Sequence, residues 1–536
     1  MHSRIQYILL FLLSLCGRAA LGTPQWQWAT ALGAAPAAVA TDALGNSYVI
    51  GSFQGTAQLG STLLVGQALY PGDADAFIAK FRPNGTLLWA TQFGGSFASV
   101  RPTALALDGA GNCYFTGTVR GTVSYGTGQT LNGVAEWPGV LVGRCSAGGQ
   151  VSWLRRDGSS AYASLGGSSI VADKLGNCFV AGGVTTPLTG QVSNPLRYQF
   201  FLASYSPTGS LRWSDVGQSP TMFNNGQGLA LDPQGHGYFS GYYTGQLTLA
   251  GTTLTYPGTT GFIGRFRQHD GTLSWLQNLG GGVSYLSTLT ADARGLVLAG
   301  RYSGNGSLAG QSLPPAAGDD AFLARFHGSG QLSWLRALPA TPGDDVPVAV
   351  RCDATGTSYV LLNQLDATRG SGSVQNNFTL ATLSFFGSPG WTTTVTGAPQ
   401  VAGHGCALDA QFRLYVAGSF DGSVQFGPHT LSSGPGFLAR LGGGFPGNPA
   451  LAALTAPPAV YPNPVTAGRC QVRVPGASPG QPTQLSLYDR FGQEVLRQQL
   501  TTAESTLATH ALPPGPYVLR LSGAGHSSSQ QLLVAP

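Results

Sequence analysis

Large apolar side chains alternate with small or polar ones along nearly the whole chain, in short runs such as "NSYVIGSF", "DAFIAKF" and "TLLWATQF". A period of two is what a strand with one buried face requires. Tight-turn signals separate the runs. In "DALGN" and its relatives the aspartate can accept backbone N–H bonds while the glycine supplies a positive φ, and "PNG", "TGS" and "SGQ" follow the same logic. The pattern predicts an all-β chain.

The pattern also recurs. "DAFIAKFRPNGTLLW" at 75–89 returns as "DAFLARFHGSGQLSW" at 320–334. Trp89, Trp153, Trp213, Trp275, Trp334 and Trp391 fall 57 to 64 residues apart, each with a glycine four positions earlier. An aspartate followed three residues later by glycine marks a second register, from Asp42/Gly45 to Asp353/Gly356. A seventh copy keeps Asp409 but has Phe412 in the glycine's place. Each unit reads as four strands, with an insertion between the second and third. Such repetition predicts a propeller of seven blades, whose radial packing leaves few exposed sheet edges. The seventh copy stops at "GFLARL" without a GxxxW strand, and the missing piece sits near the N-terminus in "PQWQWATALG". A strand from Trp26 to Leu32 is therefore expected to complete the last blade. "SYVLLNQ" in the sixth unit lacks the glycine found at Gly51, Gly117 and Gly241, which sets its second strand apart.

The units resemble the β-propeller repeats called SBBP, found in exported bacterial proteins; "DALGNSYVIGSF", "DAFIAKF" and "GTLLW" carry the resemblance, which covers residues 24–441. It implies the fold and no uniform activity.

Composition narrows the class. Charged residues are 9% of the chain, against 79 glycines and 10% aromatics, which suits tightly turned antiparallel sheet and not a disordered chain. Residues 1–22 read as a secretory signal, with Arg4 before "YILLFLLSL" and cleavage expected between Gly22 and Thr23. Cys16-Gly17 offers lipidation as the alternative, although Leu15 stands where a small residue is expected. Loss of Arg4 and Arg18 takes the net charge from +5 to +3, and no concentrated basic footprint recommends nucleic acid as a partner. Six cysteines remain, without CxxC spacing or a disulfide framework, and read as small apolar strand residues.

Residues 442–456 form a Gly/Pro/Ala-rich linker, and 457–536 return to alternating strands, which suggests a small immunoglobulin-like β-sandwich. This tail resembles the type A C-terminal sorting domain of the type IX secretion system in Bacteroidota. The matching positions are Tyr461, Pro462, Asn463 and Pro464, then Asp489 with Gly492, then Gly515 and Tyr517. The resemblance implies the secretion machinery as a partner, passage across the inner and outer membranes, removal of the tail, and release or attachment to surface lipopolysaccharide. The alternative is an ordinary immunoglobulin-like module with a binding role of its own.

Candidate chemistry is sparse. The seven aligned aspartates are explained by turn chemistry. Lys80, Arg144, Arg265, Arg325 and Arg440 share one strand position, which reads either as stems packed between blades or as a partial basic annulus for an anionic glycan. His236, His269, His327, His404 and His429 show no metal-ligand spacing, and His404 with Cys406 lies in a predicted first strand. Asp319-Asp320 and Asp344-Asp345 read as solvated turn pairs, with a calcium loop or a glycosidase pair as the sharper alternative. No cofactor is implied; structural calcium stays open. Any ligand site is expected on the long-insertion face, around segments such as Phe53 to Phe77. Three roles remain: a non-catalytic binding or adhesion module for a glycan or protein, which this charge-poor chain favours; a polysaccharide hydrolase or lyase; and a structural surface protein.

Overall fold

A computed structural model describes residues 24–535 apart from 134–137, 159–165, 185–198, 220–223, 282, 284, 317, 339–342, 366–374, 443–458, 462–464, 466–467, 474–482, 490–493, 503 and 524–525. The expected signal, its Gly22–Thr23 junction and nearly all of the expected linker lie outside the described residues. Every regular element among those described is a strand.

Thr23–Gly442 make one compact unit. Within it, five antiparallel sheets have four strands each, paired in chain order. The first runs Pro36–Thr41, Ser47–Phe53, Asp75–Phe81, Leu87–Phe93, and the fifth Tyr285–Asp292, Gly295–Ser303, Asp319–His327, Leu332–Ala337. The sixth and seventh groups merge because one strand, Pro389–Leu408, serves both. Its first half pairs with Gln375–Leu383 and its second with Leu414–Phe426. Gly436–Gly442 then pairs with Gln25–Leu32, so a strand from the start of the chain completes the last group. The insertions carry small hairpins, such as Thr56–Leu59 with Thr62–Val65. In the fourth group the insertion is absorbed into one long hairpin of His236–Leu249 and Thr252–Arg267.

Turn chemistry is shared by six of the seven groups; in the fifth, Asp292 pairs with Gly295 across a tighter turn and its Oδ1 accepts from the Arg294 N–H at 2.8 Å. Asp42 Oδ1 accepts from the N–H groups of Leu44 and Asn46 at 3.0 and 2.9 Å, and Asp409 does the same for Gln411 and Arg413. Phe412 holds the glycine's left-handed conformation with φ +59°. The sixth group's second strand forms as Ser358–Leu365 despite its missing glycine. A Cβ at Gly51 would stand 2.5 Å from the Ala35 carbonyl oxygen and 2.8 Å from the Phe77 ring. In the sixth group Leu362 faces Thr379 instead, so the bulk has changed strands.

The tryptophans tie neighbouring groups together. The indole N–H of Trp28 donates to the Pro83 carbonyl oxygen at 2.9 Å, Trp89 to Ala147 at 3.2 Å, Trp153 to Pro207 at 2.9 Å and Trp334 to Phe385 at 2.8 Å. Trp213 and Trp275 repeat the contact on Gln268 and Gly328. Each acceptor lies in the last turn of the following group. A Cβ on that turn's glycine would lie 2.7 to 3.0 Å from the indole at Gly85, Gly149, Gly209, Gly271 and Gly387. The glycine and tryptophan of one GxxxW motif are therefore not each other's partners. Those five glycines each receive the tryptophan of the preceding group, while Gly330 lies against the Gln277 side chain.

The six described cysteines are free. Burial pushes the thiols of Cys145 and Cys178 up to about 12, which leaves them unreactive packing groups. The second compact unit is drawn from residues 443–536. It has a three-stranded sheet of Ala459–Tyr461, Arg469–Arg473 and Glu504–Ala508, and a four-stranded sheet of Glu494–Leu500, Thr483–Tyr488, Gly515–Gly523 and His526–Val534. Val472 and Leu507 from the first sheet share a core with Leu485, Leu519 and Leu532 from the second.

Candidate functional site

The five basic positions do not surround a common space. Lys80 donates to the Tyr48 hydroxyl at 2.6 Å and pairs with Asp42 at 3.2 Å. Arg144 donates to the hydroxyls of Tyr114 and Ser152, and Arg265 to the Gly328 carbonyl oxygen at 3.2 Å. Arg325, almost fully buried, is paired with Asp292 and lies over the Phe385 ring at 4.3 Å. Arg440 donates to Pro83 O at 2.6 Å. Every one of these heads is tied to a short turn or to a neighbouring side chain. The heads of Lys80, Arg265, Arg325 and Arg440 reach turn residues, and so mark the end of the strands opposite the insertions. The arrangement gives these cations partners within the protein and leaves the packed-stem alternative as the better account of them.

A cavity of about 390 Å³ is lined by the first strand of all seven groups. Its wall reveals a feature that period-two reasoning missed. Each first strand carries a register shift at the equivalent place: Pro36/Ala38, Pro102/Ala104, Gly167/Ser169, Gly226/Gly228, Leu286/Thr288, Pro347/Ala349 and Gly403/Gly405. The extra residues are Ala37, Thr103, Ser168, Gln227, Ser287, Val348 and His404, and all seven line the cavity. A bulge re-aims side chains at a sheet edge. Here it presents a band of small and neutral groups, with Arg351 the charged side chain in the wall. Two members also bridge groups. Thr103 donates to Gly167 O of the next first strand, and the His404 ring sits between Pro36 O and the Ser419 hydroxyl, 3.0 Å away. Burial pulls the His404 pKa down, the Pro36 contact opposing it. Cys406 is buried two residues beyond, its thiol pushed up to about 11 by burial, which removes the thiolate a nucleophile would need.

The insertion end of the first group presents a different surface. Tyr70, 56% exposed, and Phe97, 60% exposed, stand with ring centroids 5.7 Å apart. They come from two connections, the first group's insertion and the link to the second group. The Leu69 N–H donates to Ser96 O at 3.2 Å, and Gln54 donates to Tyr70 O at 2.9 Å, which holds the pair in place. Leu63, Val65 and Leu69 of the same insertion are also exposed. The two aspartate pairs, expected in solvated turns, instead begin strands Asp319–His327 and Asp344–Cys352. Asp320 is buried because its strand is covered on both faces from Asp320 to Phe326, and Asp345 because the start of its strand turns every second residue inward.

Residues 459–535 match the family model for the secretion system C-terminal sorting domain, and residues 88–118 match that of a beta-propeller repeat. The chain carries both modules. No curated protein matches it. Among solved structures, BamB from Moraxella catarrhalis is 12% identical, over 73% of this chain and 94% of that one, with a TM-score of 0.34. The quinohemoprotein alcohol dehydrogenase ADHIIG from Pseudomonas putida HK5 is 9% identical over 79% and 77%, TM-score 0.36. A Synechocystis apocarotenoid oxygenase mutant is 10% identical over 91% and 97%, TM-score 0.35.

The sorting domain indicates export to the cell surface or extracellular space by the type IX route, and with it contact with the secretion machinery. Within the sorting domain, Tyr461 closes strand Ala459–Tyr461 and Gly515 opens strand Gly515–Gly523. The buried Tyr517 donates its hydroxyl to Pro513 O at 2.7 Å, which fastens the turn before that strand. Asp489 follows strand Thr483–Tyr488 directly. Pro462, Asn463, Pro464 and Gly492 lie outside the described residues.

Proposed function

We propose that residues 23–441 form a seven-bladed propeller, closed by Gln25–Leu32, that acts as a non-catalytic binding module at the cell surface or beyond it. Seven first strands around one cavity, and the Trp28 contact that joins the last group to the first, support the blade count. In this reading the tail is an immunoglobulin-like sandwich that directs passage across both membranes. It is then cut away, leaving the propeller free or attached to lipopolysaccharide.

The observation that carries the binding role is the exposed Tyr70–Phe97 pair on the insertion face. A rigid, exposed aromatic patch on the loops of a propeller is a binding surface by default, since an isolated apolar patch has no folding reason to face water. Its neutral, flat character suits the sugar rings of an uncharged polysaccharide better than an anionic glycan, because the basic side chains nearest to hand are committed elsewhere. The test is a pull-down of the purified chain on soluble and insoluble neutral and acidic polysaccharides, with reducing-sugar release recorded in the same samples. Retention without product is expected, and loss of retention in Tyr70→Ala/Phe97→Ala with unchanged unfolding temperature. Product release would replace the binding role with a hydrolase or lyase, and no retention on any material would leave a structural surface protein.

A further inference from the structure

The cavity between the seven first strands has one permanently charged side chain in its wall, Arg351 of the sixth group. Counted from the bulge, its position is held by Ala40, Ala106, Val171, Ala230, Thr290 and Ala407 in the other groups. The register confirms the equivalence, since Ala106 lies opposite Tyr114, Ala230 opposite Tyr238 and Arg351 opposite Tyr359. Six groups therefore keep a small neutral residue where the sixth places a guanidinium. Turn fastening does not explain it. Among the described residues Arg351 meets no carboxylate, and its Nη1 donates to the carbonyl oxygen of its own neighbour Val350 at 2.8 Å. A guanidinium carries five N–H donors in a fixed fork, so most of them are left for something else.

The surroundings define what that is. The cavity lining holds no aspartate or glutamate. His404, the other titratable side chain there, is kept neutral near neutral pH by burial. An unopposed cation in a recess with low-dielectric walls gathers anions. The first strand of the fifth group packs beside that of the sixth, and its Ser287, Thr288 and Thr290 line the cavity, as does Gln227 farther round. Hydroxyl and amide groups of this kind suit a hydroxylated ligand body. A volume of about 390 Å³ lies at the small end of ligand pockets, which span roughly 300–1,000 Å³. It has room for one small molecule. A single cation matches a single negative charge, and the guanidinium fork fits a carboxylate through two parallel hydrogen bonds.

We propose that this cavity is a second binding site, separate from the Tyr70–Phe97 surface, for a small hydroxylated monocarboxylate of the sugar-acid class. Arg351 takes the carboxylate, and the hydroxyls of the fifth group's first strand take the body.

The experiment is calorimetric titration of the full chain with sodium glucuronate, glucose and inorganic phosphate. One saturable glucuronate site per chain is expected, with glucose and phosphate bound more weakly by about tenfold or more. Arg351→Ala should weaken glucuronate by a similar factor at unchanged Tm, because alanine already fills this position in the second and fourth groups. Arg351→Lys should recover part of the affinity, as it keeps the charge and loses the fork. Tyr70→Ala/Phe97→Ala should leave glucuronate binding intact, so failure at that surface and failure here are told apart. Absence of binding heat at millimolar glucuronate overturns the proposal. So does glucose or phosphate bound as tightly as glucuronate, or glucuronate binding retained in Arg351→Ala.

Discussion

Replacing Gly149 by alanine tests the interlock between groups at one of its tight points. Two costs are separable. Gly149 has φ +94°, and an L-residue held in left-handed backbone loses about 1–2 kcal/mol. Its added Cβ would also stand 2.8 Å from the Trp89 ring, and overpacking against a fixed ring costs about 1–3 kcal/mol. The sum is about 2–5 kcal/mol. Gly128 provides the control: its φ is +70°, but a Cβ there would meet nothing within 4 Å, so Gly128→Ala should show the backbone cost alone. The assay is guanidinium unfolding followed by circular dichroism and tryptophan fluorescence, coincident curves licensing a single free energy. Adding Trp89→Leu should recover part of the Gly149→Ala loss, a coupling that separate local effects would not produce. Equal costs for Gly149→Ala and Gly128→Ala, with additive behaviour in the double variant, would refute the claim that Gly149 is a seat for the preceding group's tryptophan.

Two further outcomes follow from contacts between the first and last strand groups. Trp28→Ala removes the Pro83 hydrogen bond and a half-buried indole that also meets Tyr415, and should cost about 2 kcal/mol, measurable in the same denaturation assay; a loss below about 0.5 kcal/mol would mean that the first strand does not hold the last group to the first. His404 is buried with its folded pKa depressed, so the unfolded chain binds the proton first. Its stabilising contribution is complete above the ordinary histidine value near ~6.5 and is lost as the pH falls from there toward the folded value, at about 1.4 kcal/mol per unit of depression. His404→Gln should flatten the fall in Tm on acidification from about pH 7 to 5, and an unchanged slope would remove His404 from the account.

The strands were legible because their alternation is local, and the completing strand because the tryptophan strand missing after Leu441 has its match in "PQWQWATALG". Gly51 and Leu362 show where such reading turns cautious for the wrong reason. The glycine answers to the Ala35 carbonyl oxygen and to Phe77 on the adjacent strand, and in the sixth group Leu362 stands opposite Thr379 where the phenylalanine would be. Position along one strand could not reveal that exchange. The four-residue spacing of glycine and tryptophan misleads in the same way, since it looks like a local contact while each residue serves a different neighbour about 60 residues away.

The candidate sites were hidden for a related reason: each is made by residues whose proximity depends on register between groups. Inserting Thr103, Ser168 or Gln227 into a first strand breaks alternation by a single residue, which in a glycine-rich strand cannot be told from an ordinary polar position. Tyr70 and Phe97 sit in connections with no periodicity of their own. Asp319-Asp320 and Asp344-Asp345 are visible as pairs but read as turns, because adjacency in sequence suggests solvent while each pair in fact opens a strand whose second residue is buried. The basic positions are the opposite case: visible as a regular series, they are explained by the turns they fasten. In a repeat protein of this kind the regular positions hold neighbouring units together, and function is to be sought where one unit departs from the rest. Tyr70, Phe97 and Asp345 are such departures, and they lie on the insertion side or at a junction, where a change in one unit leaves the shared Asp turns and Trp seats intact.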